Sequence, residues 1–272
     1  MDHPRVVNMK KTILWSAWLL LGTWCSMSLG PAADASGPSQ ADHRPHVVLV
    51  AFEDEYHAAE TLPRFAQQLR DRFGHRCTVL LGEKRTGIAG LEQLASTDAL
   101  VLYVRRHPLP KEQMAMIRRY LDAGKPLMAL RTSSHAFSLR DETASGLASW
   151  PEFDREVLGG NYHDHYKAGP RTIITVAPNS AGCPLLTGIQ FGQWSSTGSL
   201  YKTSPLAAGT TELLNGTCGD HVEPVAWTNT YRGGRVFYTS LGDAGDFQTP
   251  QFLTLLSNAI YWVMDKPVPP RP

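Results

Sequence analysis

The stretch HVVLVAFEDEYHAAETLPRFAQQLRDRFGHRCTVLLG, residues 46–82, predicts a buried strand, a helix and a second buried strand in succession. Residues 46–51 form a continuous apolar run, which is typical of a strand buried on both faces of a sheet. Apolar residues then recur at helical spacing, and a proline in the first turn predicts a helix that starts near Thr61 and ends at Gly74. A second apolar run at 77–81 completes one unit of a parallel α/β sheet.

The same alternation continues towards the C-terminus. The next predicted elements are a short helix at 91–95, a strand at 99–104, a helix from Pro110 to Gly124 and a strand at 126–130. Strands separated by helices in this way predict a doubly wound, mostly parallel sheet. After a loop-rich region, β-type runs occur at 172–176, 211–214, 225–230 and 235–240, before a final helix that begins at Pro250. The sequence therefore predicts an α/β fold with added β-structure in its C-terminal half.

The N-terminus has the three parts of a secretory signal. Two lysines (residues 10–11) precede a short apolar region, and Ala33-Asp34-Ala35 offers a small-residue cleavage site. We therefore predict a signal peptide at 1–35, a linker at 36–45, a folded domain at 46–265 and a disordered tail at 266–272. An uncleaved anchor is the alternative, but the apolar region is short for a membrane span. Cleavage predicts an exported protein, periplasmic or extracellular, with no membrane attachment.

Charge and cysteine content exclude several classes of protein. The 272-residue chain carries 26 basic and 25 acidic residues, so it lacks the basic excess of a nucleic-acid-binding protein. Three cysteines remain after cleavage, and an exported protein permits disulfides. Cys183 and Cys218 are the favoured pair because Cys77 lies in an apolar run, although free thiols are equally compatible with the sequence. No Cys/His spacing is typical of zinc, and the sequence identifies neither a metal site nor a cofactor.

Polar residues follow several predicted strands at the edge where ligands bind in open α/β sheets. The candidate site residues at this edge are Glu55, Tyr56, Arg131, His135, Tyr162, His163, His165 and Asp243. Each also has a plain structural interpretation, since loops are solvated and a single histidine usually serves packing. Arg131 follows an apolar strand and needs a carboxylate if it is buried, and Asp243 is the predicted partner. His163 and His165 resemble half of a metal site, but no third ligand is evident.

Long motifs resemble the ThuA-like, or trehalose-utilisation, family. They are PVAWTNTYRGGRVFYTSLG at 224–242, GKPLMALRTSSHAF at 124–137 and WPEFDREVLGGNYHDHY at 150–166. The resemblance implies a flavodoxin-like fold similar to class I glutamine amidotransferases, and a link to disaccharide use. Those relatives carry a nucleophilic cysteine in the pattern G-x-C-x-G-x-Q, where this chain has Arg131. Many ThuA-like proteins read SLGH where this chain reads SLGD, with Asp243 in place of the histidine. Because the cysteine and the histidine are both replaced, the resemblance also implies that glutamine hydrolysis is absent.

These observations predict an exported ThuA-like protein that acts on a carbohydrate or a sugar-derived metabolite. In that role His135 or His163 is the general acid or base, Arg131 holds an anionic group, and Asp243 completes the catalytic set. Glu55, Tyr56, Tyr162 and His165 are the predicted substrate-binding residues. Two alternatives remain: a non-catalytic carbohydrate-binding module with the same pocket, and a structural module in which Arg131 and Asp243 form a buried strut.

Overall fold

The computed structural model describes residues 42–84, 86–140, 146–167 and 169–269. The predicted signal peptide at 1–35, residues 36–41 of the linker and residues 270–272 of the predicted tail lie outside these residues. Three helices are present, α1 (Ala58–Phe73), α2 (Lys111–Asp122) and α3 (Pro250–Val263). The first six described strands are β1 (His46–Phe52), β2 (Arg76–Glu83), β3 (Gly87–Ile88), β4 (Ala99–Val104), β5 (Leu127–Leu130) and β6 (Asp164–His165). The other six are β7 (Thr172–Val176), β8 (Ser195–Ser196), β9 (Tyr201–Lys202), β10 (Thr211–Cys218), β11 (His221–Tyr231) and β12 (Gly234–Thr239).

Ten of these strands form one mixed sheet in the order β3-β2-β1-β4-β5-β12-β11-β10-β7-β8. Five neighbouring strands, β2, β1, β4, β5 and β12, run parallel, while β11, β10, β7 and β8 continue the sheet antiparallel. A separate two-stranded sheet pairs β6 with β9. The structure confirms a mixed α/β fold of the flavodoxin-like type. Because β12 lies beside β5, it brings the loop after residue 239 to the same edge as the loop after residue 130.

Alternate residues of the central strands supply apolar side chains to both sheet faces. On one face, Val47 and Leu49 pack in a buried cluster with residues of α1 and α3. On the other, Val48 and Val50 pack with residues of α2. Burial on both sides explains why the sequence of β1 is continuously apolar rather than alternating. This packing fixes the strand ends from which the polar loops emerge.

Helix α1 begins at Ala58, three residues before the start predicted near Thr61. The carboxylate of Glu53 explains the earlier start, because it accepts hydrogen bonds from the backbone N–H groups of Glu55, Tyr56 and Ala58. A single side chain therefore satisfies the N–H of the first helical residue and orders the loop before it. The helix ends where predicted, with Gly74 at a φ of 67°, a conformation that glycine adopts without steric cost.

The C-terminal strands are longer than predicted. Strand β10 continues past residue 214 to Cys218, and β11 begins at His221 rather than residue 225. The extension includes Asn215 and Gly216, which carry little β-propensity but pair with both β7 and β11. A central position in the sheet therefore overrides local preference. The two-residue strands β3, β6, β8 and β9 give no periodic signal and were not predicted.

All three described cysteines are free thiols, so the favoured pairing of Cys183 with Cys218 was wrong. Cys218 is buried and its Sγ lies 3.2 Å from the carbonyl oxygen of Pro170. Cys77 is half-buried in β2, and burial raises the pKa of its thiol to about 11, which suppresses reactivity. Among the described residues, no helix is both long and apolar enough to cross a membrane.

Candidate functional site

The chain turns sharply from strand to helix at the end of β5. Arg131 has a φ of 42°, an uncommon conformation for a residue other than glycine, and a short 3-10 helix follows from Arg131 to His135. The hydroxyl of Tyr238 in β12 donates a 2.6 Å hydrogen bond to the carbonyl oxygen of Arg131 and holds the turn. We call this turn, residues 130–135, the elbow. In proteins with a nucleophile elbow, the residue at such a turn carries the reactive side chain.

At this elbow the Arg131 side chain is almost fully buried, with 1% exposure. Its Nη1 donates to the carbonyl oxygen of Ser240 at 2.8 Å, and its Nη2 to Ser199 Oγ at 3.3 Å. Gly198 makes room for it, since a Cβ built there would lie 2.8 Å from Nη1. The guanidinium therefore fills the space beside the turn and cannot contact a ligand from solvent.

Two tyrosine rings sandwich the Arg131 guanidinium. The guanidinium carbon lies 4.1 Å from the ring centroid of Tyr56 and 4.7 Å from that of Tyr201. Arginine is permanently charged, and the faces of aromatic rings stabilise a cation that burial has separated from water. Tyr201, in β9, was not selected from the sequence, because the loop in which it lies gives no signal that it returns to the elbow.

Arg131 does not pair with Asp243, and the predicted ion pair was wrong. Asp243 is half-exposed, and its Oδ1 accepts hydrogen bonds from Thr197 Oγ1 at 2.8 Å and from the backbone N–H of Gly245 at 3.0 Å. Asp243 therefore stabilises the loop in which it lies and does not neutralise Arg131. The tyrosine rings and the Ser240 carbonyl take the place of the carboxylate that burial of Arg131 was expected to require.

The buried acid of this region is Asp246, which the sequence analysis passed over. Its exposure is 1%, and its Oδ2 accepts from the backbone N–H groups of Gly242 at 2.8 Å and Asp243 at 3.0 Å. Burial raises the pKa of Asp246, while these hydrogen bonds and the charge of Arg131 act in the opposite direction. In the sequence, the two acids of GDAGD (residues 242–246) were the signal that could have indicated this residue. The structure shows that the second acid, Asp246, holds the loop through its two backbone hydrogen bonds.

His135 lies at the far end of the elbow and stacks on Tyr162, with ring centroids 4.6 Å apart. Ser134 Oγ is 3.1 Å from its Nδ1. Burial lowers the pKa of His135 to about 2, and the charges of Arg106, Arg105, Arg131 and Arg140 add to this effect. The imidazole is therefore neutral at physiological pH and makes a very weak base.

Beside His135, an open cavity of about 570 Å³ lies along the carboxyl edge of the sheet. This volume falls within the range of about 300–1,000 Å³ that small-molecule sites occupy. Its lining residues are Arg106, Ser134, His135, Ser138, Leu139, Arg140, Pro151, Glu152, Asp154, Arg155, Gly160, Asn161, Tyr162, His163 and Asp164. We call it the edge cavity. Its wall is strongly polar, and it includes three of the predicted site residues: His135, Tyr162 and His163.

Asp154 is the buried acid of the edge cavity, with 7% exposure. Its Oδ2 accepts a 2.7 Å hydrogen bond from the backbone N–H of Tyr162, whereas its Oδ1 has no partner among the described residues. The side chain packs against Gly160, where any Cβ would overlap Oδ1. Burial raises the pKa of Asp154 to about 7, partly opposed by the Tyr162 hydrogen bond. A carboxyl group with this pKa can gain or lose a proton near neutral pH.

His163 and His165 face different cavities. His163 lies at the edge cavity, and its Nδ1 is 2.9 Å from the carbonyl oxygen of Asn161. Because a carbonyl only accepts, Nδ1 carries the proton and Nε2 of the neutral ring is left as an acceptor. His165 lines a neighbouring cavity together with His221. Within the described residues, no group of three or more potential metal ligands is found.

Glu55 and Tyr56 complete the set of predicted residues. Glu55 is exposed and forms an ion pair with Arg105, with Oε2 2.6 Å from Nε. Tyr56 covers Arg131 and does not line the edge cavity. The predicted residues are therefore divided: Tyr56 and Arg131 lie at the closed elbow, and the open edge cavity is lined by His135, Tyr162 and His163. The other three, Glu55, His165 and Asp243, belong to neither group. Three further lining residues of the cavity, Arg106, Arg140 and Asp154, were not selected from the sequence.

The fold and the elbow define an α/β protein of the flavodoxin-like type whose turn carries a buried arginine. A family model described as ThuA, trehalose utilisation, matches residues 47–263. The chain belongs to this family. A comparison with curated proteins found no significant match.

Solved structures with a similar fold include two ThuA-like proteins. The one from Parabacteroides merdae superimposes with a TM-score of 0.64 at 16% identity and covers 84% of this chain and 93% of its own. The one from Bacteroides uniformis gives 0.61 at 16% identity, covering 84% and 95%. A cytoplasmic protein from Salmonella typhimurium gives 0.54 at 10% identity, covering 80% and 98%. At these identities the comparisons establish the fold.

Proposed function

We propose that the protein binds a carbohydrate or a sugar-derived metabolite in the edge cavity and transfers a proton to or from it. One observation carries this proposal: a cavity of about 570 Å³ is lined both by His163, whose Nε2 is left as an acceptor, and by the buried carboxyl of Asp154. The trehalose-utilisation family supports a carbohydrate-related role. The polar lining suits a ligand that is rich in hydroxyl groups.

In the proposed site, Nε2 of His163 is the general base and Asp154 is the second proton-transfer group. His135 stays neutral and supports the ring of Tyr162 by stacking. Arg131 and Asp243, which were the other predicted catalytic residues, act by closing the elbow and ordering its neighbouring loop. Glutaminase chemistry is not part of the proposal, since a buried guanidinium cannot serve as a nucleophile.

Turnover of a sugar panel tests this function. Disaccharides, monosaccharides and oxidised sugars are incubated with the protein, with and without divalent cations, and products are followed by NMR. We expect turnover that falls at least tenfold in Asp154→Asn and His163→Gln, as is typical for loss of a general acid or base. Asp71→Asn, on the exposed face of α1, is the matched control. Binding without turnover would instead identify a non-catalytic carbohydrate-binding module, the alternative function.

We further propose that the fold is doubly wound and extended by C-terminal β-structure. Helices that pack on both faces of the sheet support this description.

We also propose that the protein is exported. Basic residues, an apolar region and Ala33-Asp34-Ala35 support export. N-terminal sequencing of the secreted protein is expected to start near Ser36. An intact N-terminus recovered in the membrane fraction would identify an anchor instead.

A further inference from the structure

Positive charge is concentrated on the wall of the edge cavity. Arg106, Arg140 and Arg155 all line it. Arg106 is half-buried, and its backbone N–H donates a 3.0 Å hydrogen bond to the carbonyl oxygen of His135, which fixes it beside the elbow. Burial lowers the pKa of Arg106, and the positive charge of Arg140 lowers it further.

The acids at the cavity do not neutralise these arginines. In the parts of the chain that the structure describes, no ion pair joins Arg106, Arg140 or Arg155 to a carboxylate. Asp164 is already bound to Lys202, with Oδ2 3.0 Å from Nζ. Of the remaining two acids, Glu152 is exposed, and burial of Asp154 favours its neutral form.

The neighbouring arginine gives the contrast. Arg105 precedes Arg106 in the chain, and its Nε lies 2.6 Å from the carboxylate of Glu55. Arg105 is therefore paired with Glu55, whereas Arg106, which lines the edge cavity, has no ion-pair partner among the residues that the structure describes. The half-buried guanidinium of Arg106 has a second positive charge on the same cavity lining, and an anion that binds there stabilises it.

We propose that the ligand of the edge cavity is an anionic sugar and that Arg106 and Arg140 bind its carboxylate or phosphate group. This inference rests on the function proposed above and adds the chemical class of the ligand. The planar guanidinium fork matches both kinds of anion, so a sugar acid and a sugar phosphate share the recognition chemistry.

Calorimetric titration at low ionic strength tests the inference with four probes: glucuronate, glucose 6-phosphate, glucose and inorganic phosphate. We expect at least one charged sugar to bind more than tenfold tighter than glucose, with an affinity that falls as NaCl is added. Arg106→Gln and Arg140→Gln are each expected to weaken its binding about 10- to 100-fold, the range of a hydrogen bond to a charged group, and to leave glucose unaffected. Arg72→Gln, at the exposed end of α1, is the matched control.

The possible failures can be told apart. Equal affinity for glucose and both charged sugars, unchanged in the variants, would overturn the anion site and leave the carbohydrate function standing. Phosphate that binds as tightly as the charged sugars, and weakens in both arginine variants, would support the anion site and contradict the carbohydrate function. Absence of binding by every probe would overturn both. Because Arg140 is exposed, Arg140→Gln is expected to fold normally even if Arg106→Gln does not.

Discussion

The elbow and the edge cavity lie side by side on one sheet edge, but their arginine side chains have opposite environments. At the elbow, Arg131 is buried between Tyr56 and Tyr201, and two of its nitrogens are hydrogen-bonded. At the cavity, Arg106 and Arg140 border open space and lack ion-pair partners within the described chain. These contacts hold Arg131 inside the fold, whereas the guanidinium groups that line the cavity are accessible to a ligand.

The two regions differ in what is open to a ligand. The elbow is a strained strand-to-helix turn, with a φ of 42° at Arg131, and a buried side chain fills it. The groups proposed to exchange protons or bind an anion line the edge cavity instead; they are Asp154, His163, Arg106 and Arg140. The predictions below test whether the elbow is structural and the cavity functional.

The largest expected effect is the loss of stability in Arg131→Ala. The substitution removes two hydrogen bonds and two ring contacts and leaves a void next to the carbonyl of Ser240, so we expect a loss of about 3–5 kcal/mol in the free energy of unfolding. Urea unfolding measures it, with Arg72→Ala as the surface control expected within about 0.5 kcal/mol of the wild type. A loss below about 1 kcal/mol would show that the elbow is not closed by this side chain.

The second prediction concerns the pH dependence of stability at Asp154. Its pKa is raised to about 7 in the folded protein, against about 3.9 in an unfolded chain. Between these values the folded state keeps a proton that the unfolded state releases, so this group's contribution to stability is lost as pH rises towards 7. Asp154→Asn carries no such proton. We expect the stability of Asp154→Asn relative to wild type to increase by roughly 2–3 kcal/mol between pH 5 and pH 8.

Denaturant titrations of both proteins at the two pH values check this result. Other titrating groups are common to both proteins and cancel in the difference. Asp71→Asn is exposed and is expected to show no such change. A constant difference between wild type and Asp154→Asn would mean that the Asp154 carboxyl is ionised throughout the range, and that it is no candidate for proton transfer at neutral pH.

The third prediction links the same carboxyl to ligand binding. When Asp154 ionises, it places a negative charge beside the proposed anion site, so a charged sugar is expected to bind several-fold more weakly at pH 8 than at pH 6. Glu152, Asp164 and His163 also line the cavity, together with its arginines. Asp154→Asn isolates the contribution of Asp154, since its pH dependence is expected to be flatter. Titration calorimetry gives the comparison, and identical pH profiles would contradict the coupling.

The sequence predicted the fold far better than the site. Continuous apolar runs such as 46–51 have one physical meaning in an α/β chain, so strand positions and class followed directly. Pairing partners do not follow in the same way. Asp243 was the predicted partner of Arg131 because both residues follow strands. The direction of each side chain, however, depends on loop geometry that periodicity does not encode.

Tyr201 and Asp154 show the same limit. Tyr201 reaches the elbow only because β9 pairs with β6, and two-residue strands leave no periodic signal. Asp154 lies in a short helix, Asp154–Leu158, where the sequence also predicts a short helix, but nothing in DREVL distinguishes this acid from an exposed one. Its importance comes from burial against Gly160 and from an unpartnered oxygen, both of which are tertiary properties. The resemblance to the ThuA family supplied the motif around Asp154 but no role for it.

The smallest expected effect is that of Asp243→Ala, and it tests the boundary between the two regions. A buried partner of Arg131 would cost about 3–5 kcal/mol when removed, whereas the half-exposed Asp243, bonded to Thr197 and Gly245, should cost about 1 kcal/mol or less. Because no ion pair joins Asp243 to Arg131, the coupling energy between Arg131→Met and Asp243→Ala is expected to stay below about 1 kcal/mol. Asp246→Asn provides the contrast, because its carboxylate is buried and holds two backbone N–H groups. Urea unfolding of the three single variants and of the double variant measures these changes in the free energy of unfolding. A coupling energy above about 1 kcal/mol between residues 131 and 243 would restore the ion pair that the sequence predicted and overturn the description of the elbow as closed by aromatic rings.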